Sequence, residues 1–293
     1  MEKLEKEDFE LLQCCPWDGE TSDTAELLYQ DDLGCEVVRC LNCGIVYAKR
    51  RLNQNGLPKY WNDYLSRVHI HDTELVEKRK KMYQIDCDFS RQYVSSGKVL
   101  DIGCGNGSFM SVYERYGYET FGVEYGKEAA DVAEKHHNVR YGVFDEMDFD
   151  GDTFDLIVFR GVLQYVPNPK SYLKKAVGLL KHHESGSLGG CLFITAQPNM
   201  DSLGFRLFGK HFTQAVNGTN FIGYTEKALT SYISSLGMKK VGEKYFYLET
   251  PYADEIGDLS QMARALQYHR EGKKIDFKSP AYWGNMMTLM YRA

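Results

Sequence analysis

Cys15-Pro-Trp-Asp18-Gly and Cys40-Leu-Asn-Cys43-Gly are two steps of one pattern, each closed by glycine. Side chains three positions apart on a tight turn point the same way, so Cys40 and Cys43 can offer two thiolates to one tetrahedral Zn²⁺ while the glycine relieves the bend. The first step has a carboxylate in the fourth position, and a carboxylate oxygen also ligates zinc. Cys15, Asp18, Cys40 and Cys43 are therefore the expected ligands of a structural zinc ion, with Cys14 or Cys35 as alternatives to Asp18. The competing reading is a zinc-free turn whose cysteines are small buried residues. No histidine lies in the first fifty residues, so catalysis by this metal is not expected.

A second constellation is Val99-Leu-Asp-Ile-Gly-Cys-Gly-Asn-Gly107, an apolar strand running into a glycine turn and then a helix. Small residues there let backbone N–H groups approach a nucleotide at a helix N-terminus. The spacing is G-x-G-x-G, where dinucleotide enzymes use G-x-G-x-x-G. The next strand ends at Glu124, whose carboxylate can accept from both ribose hydroxyls of an adenosyl group. That need is common to nicotinamide dinucleotides and S-adenosylmethionine.

The elements that must hold these residues alternate. Segments 98–102, 119–124, 139–144, 156–159 and 191–196 read as strands; 108–116, 127–135, 169–180 and 225–236 read as helices, the third started by Asn168-Pro169 and the fourth stopped by Gly237. Strand-helix alternation predicts an α/β fold with a doubly wound, mostly parallel sheet covered on both faces. Further strands at 244–249 and 286–291, with a helix at 256–269 between them, bring the sheet to seven and put Tyr245 and Tyr247 on one strand face. Upstream, short strands at 36–39 and 44–47 flank the cysteines in what reads as a small knuckle, and a helix spans 73–94.

The bulk numbers narrow the partners. In 293 residues, 35 Lys+Arg against 41 Asp+Glu give a formal charge of −6, which argues against nucleic acid. No run approaches the roughly 20 apolar residues of a membrane span, and the charged start Met1-Glu-Lys-Leu is neither anchor nor signal peptide. The expected location is the cytoplasm, where a crowded cysteine set reads as metal ligands rather than disulfides.

Taken in order, Val99–Gly107, Glu124, Phe144-Asp145, the run Thr153-Phe-Asp-Leu-Ile-Val-Phe-Arg-Gly-Val-Leu-Gln-Tyr-Val-Pro-Asn-Pro169 and Gly189–Asn199 resemble the class I S-adenosylmethionine-dependent methyltransferases. With the cysteine knuckle in front, the chain is similar to bacterial methyltransferases of sugar, capsule and natural-product pathways. The resemblance implies that Asp101, Gly103 and Gly105 wrap the methionine part of the cofactor, Glu124 holds the ribose, and Asp145 beside Phe144 faces the adenine amine. Asn106, Tyr125 and Arg160 complete the expected cofactor set, and Tyr64 matches a Tyr-rich segment that folds over the cofactor in such enzymes.

The implied organisation is a zinc-binding segment 1–52, a linker and cofactor-covering helix 53–97, and a methyltransferase domain 98–293 with substrate-covering insertions at about 200–224 and 251–284. The implied reaction moves a methyl group to O or N of a small molecule such as a sugar or secondary metabolite. The further C-terminal domain of the sugar C-methyltransferases is missing before Ala293, which turns the expectation away from C-methylation. Catalytic candidates are Tyr165, which stands where that family commonly has histidine, and His211, an imidazole in the loop over the substrate. The departures at Tyr165 and Asp18 also suit a non-catalytic cofactor-binding or protein-interaction module, and a nicotinamide-dependent reductase fits the glycine spacing less well.

Overall fold

The computed structural model of the chain describes residues 4–32, 34–62, 73–182 and 189–293. In chain order the strands are β1 (Phe9–Leu11), β2 (Ala25–Gln30), β3 (Glu36–Cys40), β4 (Val46–Ala48), β5 (Arg50–Leu52), β6 (Lys98–Ile102), β7 (Glu119–Glu124), β8 (Asn138–Tyr141), β9 (Leu156–Arg160), β10 (Cys191–Pro198), β11 (Ile222–Gly223), β12 (Lys239–Lys244) and β13 (Met286–Arg292). The described α-helices are α1 (Gly56–Trp61), α2 (Thr73–Ser90), α3 (Met110–Glu114), α4 (Lys127–Ala133), α5 (Pro169–Gly178), α6 (Leu203–Phe208), α7 (Glu226–Ser235) and α8 (Glu255–Arg270).

Strands β9 and β10 are apolar runs buried along nearly their whole length, as strands covered on both faces must be. They sit in a seven-stranded sheet of order β12-β13-β10-β9-β6-β7-β8. The strands from β6 to β10 run parallel and β13 is antiparallel to both its neighbours, so the expected doubly wound, mostly parallel sheet is the observed one. From β6 the chain turns first to β7 and later to β9 on the other side, which opens a crevice at the strand C-termini. Helix starts follow their capping residues: the Thr225 hydroxyl accepts from Ala228 N–H at 3.1 Å, and Asn168 precedes Pro169 at the first helical position of α5.

Two expectations change. The strand expected at 244–249 lies earlier, at Lys239–Lys244. That edge strand is mostly charged and half-exposed, so it carries little apolar signal; the aromatic run after it has strand-like composition but folds as a loop, where Tyr245 packs on Trp283 and Tyr247 on Tyr282. The third core strand stops at Tyr141, and Phe144–Glu146 is a 3₁₀ turn.

The cysteine segment is more than a knuckle. Strands β2, β3 and β4 form a four-stranded sheet whose last strand is β11, with Tyr47 opposite Ile222 and Val46 opposite Gly223. Ile45, Val46, Tyr47, Ala48 and Leu52 are fully buried, and one apolar cluster runs from them through Phe221 and Tyr224 to Leu100 and Ile157 of the large sheet. Trp17 meets the Tyr224 and Tyr232 rings edge-on, each at 5.3 Å. No helix among the described residues is long and apolar enough to cross a membrane.

Candidate active site and metal centre

A cleft of about 1280 Å³ opens at the C-terminal ends of β6, β7, β9 and β10 and is roofed by α1, α2 and the segments 246–252 and 279–288. Single-ligand sites occupy about 300–1,000 Å³, so the space suits two molecules.

The glycine turn forms the floor. Gly103 has φ +76°, and a Cβ there would stand 2.6 Å from the Val162 side chain, so only glycine fits. The turn is tied to the second strand by Glu124, whose Oε2 accepts from Gly105 N–H at 2.7 Å and whose Oε1 accepts from Gly126 N–H at 2.6 Å. A carboxylate has about four acceptor sites, so both oxygens keep capacity for a further donor. Burial pushes the Glu124 carboxyl above its ordinary range, against the pull of those two amides.

Asp101, at the end of β6, is 3% exposed and its Oδ1 has no partner. Burial pushes its carboxyl up to about 7; Arg160 opposes the shift and Glu124 adds to it. Asp145 Oδ1 is likewise buried and unpartnered, on the turn after β8. Orphaned acceptors of this kind in a cleft await a ligand's donors. Lys175 of α5 sets that turn by donating to the Phe144 and Asp145 carbonyls at 2.6 and 3.0 Å. Phe144 is buried beside Tyr172. Asn106 and Tyr125 also line the cleft, Asn106 through a side chain that accepts from the Ser108 hydroxyl at 2.7 Å.

Arg160, the last residue of β9, lines the cleft. Its Nε donates to Asp86 Oδ2 at 2.9 Å, and its guanidinium lies 4.5 Å from the Tyr83 ring centre. Asp86 is fully buried; its other oxygen accepts from the Thr195 hydroxyl at 2.7 Å, which leaves Thr288 to donate to Thr195 at 2.9 Å. A bulge between Ile194 and Gln197, with Ala196 at φ +50°, interrupts β10 next to this network. Asp86 is absent from the sequence-derived set. Its signal was its register: it stands four residues after Met82 and three before Phe89, on the buried stripe of α2.

Of the expected catalytic pair, Tyr165 lines the cleft with its ring 4.9 Å from Trp61. His211 does not: among the residues around it, Phe212, Thr213 and Gln214 form the wall. Phe212 is drawn into the core against Phe205, and the His211 carbonyl accepts from Ser279 N–H, an arrangement that leaves the imidazole off the cleft wall. Tyr64 lies outside the described residues.

The ligating atoms of Cys15, Asp18, Cys40 and Cys43 all lie within 4.8 Å of one another. Cys15 and Cys43 sulfurs are 3.7 Å apart, and Cys40 Sγ is 3.4 Å from Asp18 Oδ2. Tetrahedral zinc with bonds of about 2.3 Å to sulfur and 2.0 Å to oxygen needs edges of about 3.8 and 3.5 Å, so the set fits. Gly44, at φ +79°, closes the second turn with its N–H on the Cys40 carbonyl. Of the two alternatives, Cys14 is exposed, and Cys35 is engaged with Arg50, donating to its carbonyl at 3.0 Å.

A family model described as a methyltransferase domain matches residues 77–203. The ubiquinone biosynthesis O-methyltransferases of Vibrio campbellii and Coxiella burnetii are 28% and 31% identical over 120 and 113 residues, which are 38% and 36% of this chain. The chain spans about half the length of these curated relatives, 49% and 46%. The magnesium protoporphyrin IX methyltransferase of Synechocystis, solved with S-adenosylhomocysteine bound, shares the fold at a TM-score of 0.53 and 12% identity, over 82% of this chain and 99% of that one. Strand order and glycine turn accord with these likenesses: residues 77–203 match a methyltransferase domain, and the chain has the fold of a solved methyltransferase.

Proposed function

We propose that the protein transfers the methyl group of S-adenosylmethionine to an oxygen or nitrogen of a small molecule. The observation that carries this reading is Glu124, clamped by two backbone amides beside the glycine turn with acceptor capacity to spare. Around it, Asp101 takes the ammonium, Arg160 the carboxylate and Asp145 the adenine amine, with Gly103, Gly105, Asn106, Tyr125 and Phe144 shaping the bed. When bound, the cofactor supplies a methyl group on a sulfonium that leaves with its bonding pair once the acceptor's lone pair attacks. The chain's own work is alignment and exclusion of water, with Tyr165 at the acceptor side. The O-methyltransferase names of the relatives favour oxygen as the acceptor atom. In this reading residues 1–52 bind one structural zinc through Cys15, Asp18, Cys40 and Cys43, residues 53–97 cover the cofactor, and the remainder is the catalytic domain.

Titration calorimetry tests the base of the proposal. S-adenosylmethionine and S-adenosylhomocysteine should each bind at one site per chain and NADH at none; folded protein that binds neither adenosyl compound sinks it.

The pH dependence follows from Asp101. Its folded value of about 7 lies above the unfolded one, so its share of stability is full at acid pH and is lost as pH rises through about 7. Binding of the sulfonium-ammonium cofactor favours the ionised carboxylate and runs the opposite way. Between about pH 6 and about pH 8 its affinity should rise roughly tenfold, and Asp101→Asn should flatten the profile. A flat profile for the unaltered protein would remove Asp101 from the cofactor site.

A further inference from the structure

Lys80, Lys81 and Asp88 of α2 are exposed, yet Asp86 on the same helix is fully buried. A buried carboxylate destabilises a fold unless it is paired and hydrogen-bonded, and both oxygens of Asp86 are in use. Oδ2 accepts from Arg160 Nε at 2.9 Å and Oδ1 from the Thr195 hydroxyl at 2.7 Å. That hydroxyl has a single proton, so Thr288 donates to it in turn at 2.9 Å. The bonds therefore run one way, from β13 through β10 to the carboxylate, and hold it in one orientation towards Arg160.

The guanidinium is fixed on two sides. Its Nε edge is taken by Asp86, and its centre lies 4.5 Å from the Tyr83 ring centre and 5.6 Å from that of Phe109. Among the described residues Nη1 and Nη2 have no hydrogen-bond partner, and Arg160 lines the cleft. Docking α2 on the sheet does not require this ion pair. Phe89 stacks on Phe193 at 5.9 Å, the Ser90 and Tyr113 hydroxyls are 2.6 Å apart, and apolar residues replace buried ion pairs in many proteins without loss of stability.

We infer that Asp86 is a positioning residue for the cofactor: it turns Arg160 so that Nη1 and Nη2 present a fork to the cofactor's carboxylate. The inference rests on the methyltransferase reading and, within it, on Arg160 as the partner of that carboxylate. A carboxylate takes two parallel N–H bonds from such a fork, and a guanidinium fixed beforehand loses little freedom when they form. Without Asp86, two ring faces are left to orient Arg160. Arg79 and Lys80 of α2 also line the cleft, so the test includes a background without Arg160.

Two nucleosides probe the full chain by titration calorimetry: S-adenosylhomocysteine and 5′-(3-aminopropylthio)-5′-deoxyadenosine, which lacks only the carboxylate. The unaltered chain should prefer S-adenosylhomocysteine by at least about tenfold. Asp86→Ala should weaken S-adenosylhomocysteine about tenfold and leave the amine within about threefold, a split that a merely structural role would not produce. Asp86→Asn, which keeps an acceptor for Nε, should return S-adenosylhomocysteine to within about threefold of the unaltered chain. Added to Arg160→Met, Asp86→Ala should cost no further S-adenosylhomocysteine affinity, because it acts through the arginine. If Asp86→Ala does not fold, Thr195→Val decides: it frees one carboxylate oxygen and should weaken S-adenosylhomocysteine alone, by about threefold.

The inference is overturned if the unaltered chain binds the two nucleosides equally, if Asp86→Ala or Thr195→Val weakens both alike or neither, if Asp86→Asn behaves as Asp86→Ala, or if the Asp86 change still weakens binding in the Arg160→Met background. An unaltered chain that binds neither nucleoside is a different result and counts against the methyltransferase reading itself.

Discussion

Replacing Glu124 by alanine should weaken S-adenosylmethionine binding by about two to four orders of magnitude. The proposed ribose contact comprises two charge-assisted hydrogen bonds at about 1.5–3 kcal/mol each, and tenfold in affinity corresponds to about 1.4 kcal/mol. The same change releases Gly105 N–H and Gly126 N–H, so the glycine turn loses the group that holds it against β7. Glu124→Gln separates the two effects. It keeps the shape and one acceptor, which can hold Gly105 N–H while its NH₂ faces Gly126 N–H, so it should weaken the turn less than alanine does and should still lose about tenfold in cofactor affinity. Titration calorimetry on both variants reads the difference. An alanine variant that binds S-adenosylhomocysteine within about threefold of the unaltered chain would take the ribose away from Glu124.

The second large effect concerns the metal. Elemental analysis should find about one zinc per chain, and Cys40→Ser and Cys43→Ser should each reduce it to a small fraction. With free zinc about a thousandfold above its dissociation constant, binding adds about 4 kcal/mol of stability by mass action. For a chain of this size that is on the order of 10 °C in Tm, which chelation should remove. The loss should spread beyond the cysteine turns, because β3 and β4 belong to the sheet that ends in β11. Asp18→Cys is the informative companion: it completes a four-thiolate set and should tighten zinc. Full zinc content surviving both serine changes would refute the site.

Where the sequence was readable, it was readable through local geometry. The glycine turn, Glu124 one strand later and the strand-helix alternation each follow from neighbours within a few residues, and the two cysteine turns could be paired because they share a step. What escaped depends on contacts across the chain. Asp86 sits in a helix rich in charges, and only its register on the buried stripe marks it as Arg160's partner 74 residues on. Lys175 looks like a solvated helix lysine until the turn at Phe144–Glu146 is folded against it. Strand β11 is two residues long, too short for any period, and is made by its antiparallel partner β4. His211 was placed by analogy of its loop, but the packing of Phe212 decides which residues of that loop form the wall.

The pairing of β4 with β11 also bears on how the domain matched at 77–203 can be moved or trimmed. Arg51 donates to the Pro167 carbonyl at 2.9 Å, the Ala48 N–H reaches the Phe221 carbonyl, and the Phe221 N–H reaches Gln164. The cysteine layer thus braces, through the Arg51 side chain and backbone contacts, the turn that carries Gln164 and Tyr165. A fragment cut at residue 77, where the family match begins, would leave β11 with a bare edge and Phe221, Ile222 and Tyr224 without their cover. The matched domain is therefore not a portable cassette. A graft or a minimal expression fragment has to carry the cysteine layer with it, and chimaeras should be joined inside that layer's surface loops rather than at the domain's nominal start.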